Sequence, residues 1–422
     1  MCPNFSSQSY RPRAPTFADM FAGGGGLSYG FHLQGFNIVA AWETNPAARY
    51  TYHVHHCERN QTVLYGDVTD VDETKLPSDL DVLGGGPPCQ SLSTSQGIAD
   101  PDDPRHQLPF SMVEWADVVD PRVVLIENVT GLTNRHGDIH SSLLTKLKRA
   151  GSGYQVNSIT LNAADYGVPQ CRDRVFIIAI RTDLPTPNKW KPDQTSHKTS
   201  VQTLTGDKLD AYATASEALE SLPEPIPSQS PSDDPVHTSI EEYQPAVGKE
   251  GRHRIDPHSV PETVSREGSD EVVPPNHVAI NHNGSVRQAK AELELGASIS
   301  ETDRRLHPDQ PAPTLTVSQG SPPFHYRGKS PQFPSRSVEH VRRLTPREAA
   351  RLQTFDDNYV FAGTKTEQYR IIANAVPPLL AAHVANHIRK NILNHQFLEE
   401  KENSEADSQA ETTAPSRESV AD

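Results

Sequence analysis

Residues 16–34, Thr16-Phe-Ala-Asp-Met-Phe-Ala-Gly-Gly-Gly-Gly-Leu-Ser-Tyr-Gly-Phe-His-Leu-Gln34, decide the fold. Thr16 to Phe21 reads as a buried strand, Ala22 to Gly26 as a glycine loop, and Leu27, Gly30, Phe31 and Gln34 recur at helical spacing. Strand, glycine loop and helix in that order open a nucleotide-binding α/β unit. A second strand over Asn37–Trp42 ends at Glu43, 20 residues after Gly23, the interval at which such folds place an acid for a ribose hydroxyl. The loop serves either a nucleoside cofactor or a tight structural turn. No Lys-Ser/Thr follows the glycines, which disfavours a phosphate P-loop and favours an adenosyl group without phosphates.

Working outward, the spacing predicts a helix from Pro46 and a strand at Val63–Tyr65 that ends at Gly66-Asp67. A short strand, Leu80–Leu83, runs into Gly84-Gly-Gly-Pro-Pro-Cys89, and Pro121–Glu127 reads as a buried parallel strand. Helices over 110–118 and 141–149 and strands near 154–162 and 174–181 complete the alternation expected of a doubly wound α/β sheet. Cys89 then stands just past a strand's carboxyl end, where open α/β sheets build their sites. It is either a nucleophile or a small apolar turn residue. A free thiol with pKa about 8.5 needs neighbours to ionise it at neutral pH.

The chain has 422 residues, enough for two cores, and a net charge of −15 that argues at first against a nucleic-acid partner. The last 26 residues alone carry eight acids against two bases, which softens the objection. Four scattered cysteines suit a reducing compartment, and no signal pattern or run of eighteen apolar residues is present, so the expectation is a cytoplasmic protein off the membrane. His53, His55, His56 and Cys57 share one helix without a second ligand cluster, so no metal site is expected. Composition divides the chain into a leader at 1–14, a cofactor-binding part at 15–187, an irregular second domain at 188–336, a returning helical part at 337–396 and an acidic, disordered tail at 397–422. Thr345, Pro346 and Glu348 form a capping-box pattern at the start of a helix.

Six motifs in order, Asp19-Met-Phe-Ala-Gly-Gly-Gly-Gly-Leu27, Gly85-Gly-Pro-Pro-Cys-Gln90, Glu127-Asn-Val129, Gln170-Cys-Arg-Asp-Arg174, Arg347-Glu-Ala-Ala-Arg-Leu-Gln353 and Asn374-Ala-Val-Pro-Pro378, resemble those of the cytosine-5 DNA methyltransferases. The resemblance covers about 15–187 and 337–393, and 188–336 falls where that family keeps its target-recognition domain, with Thr314-Leu-Thr316 similar to an element near that domain's end. It implies S-adenosylmethionine as methyl donor, double-stranded DNA as partner, a possible cognate restriction endonuclease and a monomer. Phe21 is then expected to stack on the adenine, Glu43 to hold the ribose, Asp67 to meet the exocyclic amine, and Gly23, Gly25, Pro88 and Asn374 to complete the cofactor set. Cys89 is the implied nucleophile on cytosine carbon 6, Glu127 the acid at N3, Arg174 the contact to the carbonyl oxygen, and Arg172 a brace for the site or a phosphate. Gln90 and Ser93 belong to the implied loop that closes over a flipped base. Ala373 and Leu92 depart from the usual glycine and phenylalanine. A transfer-RNA cytosine-5 methyltransferase is the runner-up, disfavoured because its Cys-Phe-Thr tripeptide is missing; a catalytically silent relative has no need of Cys89, Glu127 and the cofactor loop together.

Overall fold

The computed structural model describes residues 13–57, 62–88, 107–202, 208–227, 264–265, 272–300, 303–316 and 322–393. Its centre is a seven-stranded sheet of order β3-β2-β1-β4-β5-β7-β6, built from β1 (Thr16–Met20), β2 (Asn37–Trp42), β3 (Val63–Tyr65), β4 (Val82–Gly85), β5 (Val123–Val129), β6 (Tyr154–Asn162) and β7 (Asp173–Arg181). Strands β1 to β5 run parallel to one another, and the doubly wound reading stands. Strand β7 departs from it, lying antiparallel between β5 and β6. The reason is the connection: residues 163–172 are too few for a parallel crossover, which takes a dozen or more, so the chain doubles back.

Side chains alternate across the sheet as period two requires. Leu125, Phe176 and Ile178 face one apolar cluster with Phe17, Phe31 and Leu380. Ile126, Val175 and Ile177 face the other, with Trp42, Met112 and Trp115. The helix Gly26–Leu33 packs on the final helix, Pro378–Ile388, and its Gly30 makes that possible, since a Cβ there would lie 2.4 Å from Ala381. The stretch Lys365–Leu393 is long and apolar enough to cross a membrane, yet 72% of its most apolar window is buried in this core.

The capping box forms as the sequence predicts: Thr345 Oγ1 accepts from the Glu348 amide and Glu348 Oε2 accepts from the Thr345 amide at 2.8 Å. Leu219, Leu306, Leu315 and Tyr326 share one cluster with Leu352, Phe355 and Ile372, so the described part of 188–336 packs directly on the returning segment.

Candidate functional site

The strand order reverses between β1 and β4, and every β-strand end that carries a motif meets there. Met20 lies opposite Gly85 and Gly85 opposite Ile126, which brings the glycine loop, the Gly86-Pro87-Pro88 turn and Glu127 side by side. The glycines of β4 are dictated by closeness. A Cβ on Gly84 would lie 2.5 Å from the Phe17 ring, one on Gly85 2.3 Å from the Met20 carbonyl, and one on Gly86 3.1 Å from Glu127 Oε2.

On the glycine-loop side, Phe21 takes φ 60°, a left-handed conformation rare for a bulky residue, and turns the chain out of β1. Gly23 and Gly25 also have positive φ, and a Cβ on Gly23 would meet nothing within 4 Å, so this part of the loop borders open space. Glu43 closes it: Oε2 accepts from the Gly23 amide at 2.9 Å and Oε1 from the Asn45 amide at 2.7 Å. Burial raises the Glu43 pKa, and the three backbone amides that donate to it, with the charge of Arg49, pull it part of the way back. Arg49 also donates to the carbonyls of Glu43 and Tyr65, fixing the ends of β2 and β3 together. Asp67 is exposed beyond β3 and its Oδ1 accepts from both the amide and the hydroxyl of Thr69, at 2.9 and 2.8 Å. A cradle with open space at Gly23, an acid at its amide and an exposed acid on the next strand fits an adenosyl group.

Behind the loop lies Asp19, 1% exposed, whose Oδ2 accepts from Ser28 Oγ at 2.5 Å while Oδ1 has no partner among the described residues. Burial pushes its pKa up to about 7. Ser28 Oγ lies 2.8 Å from the Tyr52 hydroxyl, which links three elements under the loop.

On the β5 side, Glu127 is 8% exposed and meets Arg174 Nε at 3.1 Å through Oε1. Register makes the pair: Val129 lies opposite Arg174 on β7, which places both side chains at the same sheet end. Burial raises the Glu127 pKa against the pull of Arg174 and Arg172. Asn128 Nδ2 donates to the Pro87 carbonyl at 3.3 Å and ties the proline turn to β5. Cys89, Gln90, Ser93 and Leu92 lie outside the described residues.

Of the two roles left open for Arg172, its contacts fit the brace for the site and not the phosphate. Its guanidinium is 1% exposed and donates to the carbonyls of Leu315 at 3.2 Å, Ala373 at 2.8 Å and Ala375 at 3.2 Å. It is a brace, holding Thr314-Leu-Thr316 and Asn374-Ala-Val against β7. Thr314 Oγ1 donates to the Cys171 carbonyl at 2.7 Å and the Leu315 amide to Gln170 Oε1 at 3.0 Å, so the same junction is bound twice more. Asn374 is exposed, at the end of the helix Lys365–Asn374. The segment after it packs on the glycine loop: a Cβ on Gly26 would lie 2.4 Å from the Val376 carbonyl. His55 and His56 are engaged by Val360 and Tyr359, and among the described residues no cluster of three metal-ligating side chains occurs. Arg327, on the described part of 188–336, pairs with Glu224 at 3.1 Å.

Sheet order and a glycine loop at the switch point, with the Glu43 carboxylate on its Gly23 amide, are those of a Rossmann-like methyltransferase fold. The chain belongs to the C-5 cytosine-specific DNA methylase family, whose model matches residues 15–390, and it is a DNA cytosine-5 methyltransferase. It is similar to the type II methyltransferase M.DdeI of Desulfomicrobium norvegicum, 30% identical over 407 residues covering 88% of this chain and 87% of that protein. It is likewise similar to M.NgoPII of Neisseria gonorrhoeae, 30% identical with 92% and 99% covered. Among solved structures, a DNA modification methyltransferase encoded within a prophage (E. coli) aligns with TM-score 0.62 and 25% identity, covering 90% of this chain and all of that one. The S. pombe Dnmt2 methyltransferase shares the fold, with TM-score 0.55, 17% identity, and 89% and 98% covered.

Sequence reasoning missed two residues at this site. Asp19 stands inside a quoted motif yet was given no role, because only burial reveals its charge cost. Tyr359 contacts the glycine loop from 335 residues away, and no local pattern marks such a partner.

Proposed function

We propose that this methyltransferase modifies carbon 5 of a cytosine extruded from duplex DNA, through a covalent adduct of Cys89 at carbon 6. The observation that supports the reading best is the buried Glu127–Arg174 pair beside the Gly86-Pro87-Pro88 turn that leads into Cys89. Carbon 5 of cytosine is too electron-poor to take a methyl group until a nucleophile adds at carbon 6. Glu127, its proton affinity raised by burial, donates to N3 as the adduct forms. Arg174 lies close enough to hold the Glu127 carboxyl in place and to offer its remaining N–H groups to the cytosine carbonyl. When bound, S-adenosylmethionine supplies the electrophilic methyl group. Phe21, Gly23, Gly25, Glu43 and Asp67 hold its adenosine, with Pro88 and Asn374 bordering the cofactor. Gln90 and Ser93 then belong to a loop that keeps water from the extruded base, whose release from the stack costs a few kcal/mol.

The type II methyltransferases among its relatives favour a place in a restriction-modification system, with residues 188–336 choosing the target sequence. Incubation with tritiated S-adenosylmethionine and duplex DNA tests the proposal. Label is expected in DNA and is expected to vanish in Cys89→Ser while S-adenosylhomocysteine still binds. Label in transfer RNA and none in any duplex overturns it. DNA carrying 5-fluorocytosine is expected to trap a complex through the Cys89 peptide; an adduct on any other peptide overturns the assigned nucleophile.

A further inference from the structure

The glycine loop is held from behind by a residue of the returning segment. Tyr359 Oη donates to the Gly24 carbonyl at 2.6 Å, and the side chain is buried, 3% exposed. Its ring stacks on His55 at 3.7 Å between centroids. His56 Nε2 lies 3.0 Å from the same hydroxyl. A tyrosine hydroxyl has one hydrogen, and Gly24 takes it, so the imidazole N–H is the donor to the tyrosine oxygen. The loop leaves no room for the pair to move: a Cβ on Gly25 would lie 2.5 Å from His56 Nε2 and 2.7 Å from Tyr359 Oη. Tyr359 is itself set by Arg347, whose guanidinium donates to its carbonyl at 2.7 Å, to that of Asp356 at 2.7 Å and to that of Pro275 at 2.9 Å.

Four consecutive glycines, Gly23 to Gly26, make a loop of very low intrinsic order, because glycine populates both signs of φ about equally. Glu43 takes the Gly23 amide on the open side and Tyr359 takes the Gly24 carbonyl on the closed side. The two bonds fix successive residues, and only the second comes from outside the first hundred residues. We propose that Tyr359 is a positioning residue for the cofactor, its hydroxyl holding the Gly23–Gly25 loop in the shape that accepts the adenosyl group. The proposal rests on the assignment of that loop as the cofactor cradle. Loss of the hydroxyl leaves the Gly24 carbonyl without its donor and returns conformations to the loop, a cost that binding must then meet.

Calorimetric titration of the full chain with S-adenosylhomocysteine decides it. Tyr359→Phe is expected to raise Kd about tenfold, to lower Tm by less than about 5 °C, and to leave kcat at saturating cofactor within about twofold of wild type. Tyr369→Phe serves as the control: that hydroxyl is equally buried and has no partner among the described residues, so Kd should not move. Unchanged affinity in Tyr359→Phe, or the same loss in both variants, overturns the proposal. If Tyr359→Phe does not fold, His56→Gln replaces it, and unchanged affinity there overturns the proposal as well. Absence of binding by the wild-type chain instead overturns the cradle assignment.

Discussion

Two buried glutamates, each beside an arginine, sit in surroundings that treat the same carboxyl group in opposite ways. Glu348 is 2% exposed, and both oxygens accept from Arg342, at 2.8 Å each, while Oε2 also accepts from the Thr345 amide at 2.8 Å. Its carboxyl is held well below the usual range, because Arg342 and the nearby His325 outweigh the cost of burial. Glu127, 8% exposed, meets one guanidinium nitrogen among the described residues, and burial lifts its pKa. The residue types are the same and the outcomes opposite. A carboxylate whose lone pairs are filled by a bidentate arginine and an amide is structural; one whose second oxygen accepts no bond among the described residues, at a strand end, keeps the capacity to exchange a proton.

The sharpest way to break this contrast is to replace each carboxyl with a carboxamide. Glu127→Gln is expected to lower kcat by about 100-fold or more with little change in Tm, the size of effect that loss of a positioned acid gives. Tritium incorporation and a melting curve measure the two halves of that statement. Glu348→Gln should do the reverse, costing about 3 kcal/mol of stability by leaving Arg342 buried and unpaired, while the folded fraction keeps its kcat. Comparable kcat losses in both variants would erase the distinction.

The pH dependence sharpens it. For Glu348 the folded pKa is depressed, so its contribution is present above the unfolded value of 4.5 and is lost as pH falls below it. For Asp19 the folded pKa of about 7 stands above the unfolded 3.8, so stability is fullest below pH 4 and declines as pH rises to about 7. Asp19→Asn should therefore flatten the denaturant midpoint between pH 4 and 7, gaining on the order of 2 kcal/mol at pH 8 over wild type. A midpoint that still falls across that window assigns the titration to another group. The smallest effect expected is Arg174→Lys, which keeps the charge and loses the fixed Nε geometry: kcat should drop about tenfold with Kd for S-adenosylhomocysteine unchanged. A change in Kd instead would place Arg174 on the cofactor side.

Much of this was readable from the chain. β2 and β3 carry the bounds that their apolar runs predict, because turn residues mark short strands at both ends. β4 starts two residues later than its apolar run and continues through Gly84 and Gly85, since closeness to Phe17 and Met20, and not hydrophobicity, decides which residues pair there. The position of β7 between β5 and β6 was not readable, because its apolar run Val175–Ile180 looks the same in either direction. At the site, Glu127 and Arg174 meet as motif positions at matched strand ends, whereas Arg172 looked equally suited to a ligand and to a carbonyl. Only the arrival of Leu315 and Ala373, more than a hundred residues downstream, makes it a brace.

That brace bears on how the family can vary. One guanidinium joins β7 to two segments that begin 143 and 201 residues later, so the site's wall is closed by a knot of three carbonyls rather than by chain continuity. On the proposed role of residues 188–336 in choosing the target, the chain between Arg181 and Pro313 can change in length, provided that it delivers the next strap back to Arg172. On that proposal specificity is a replaceable cassette, and the chemistry stays bolted to the sheet.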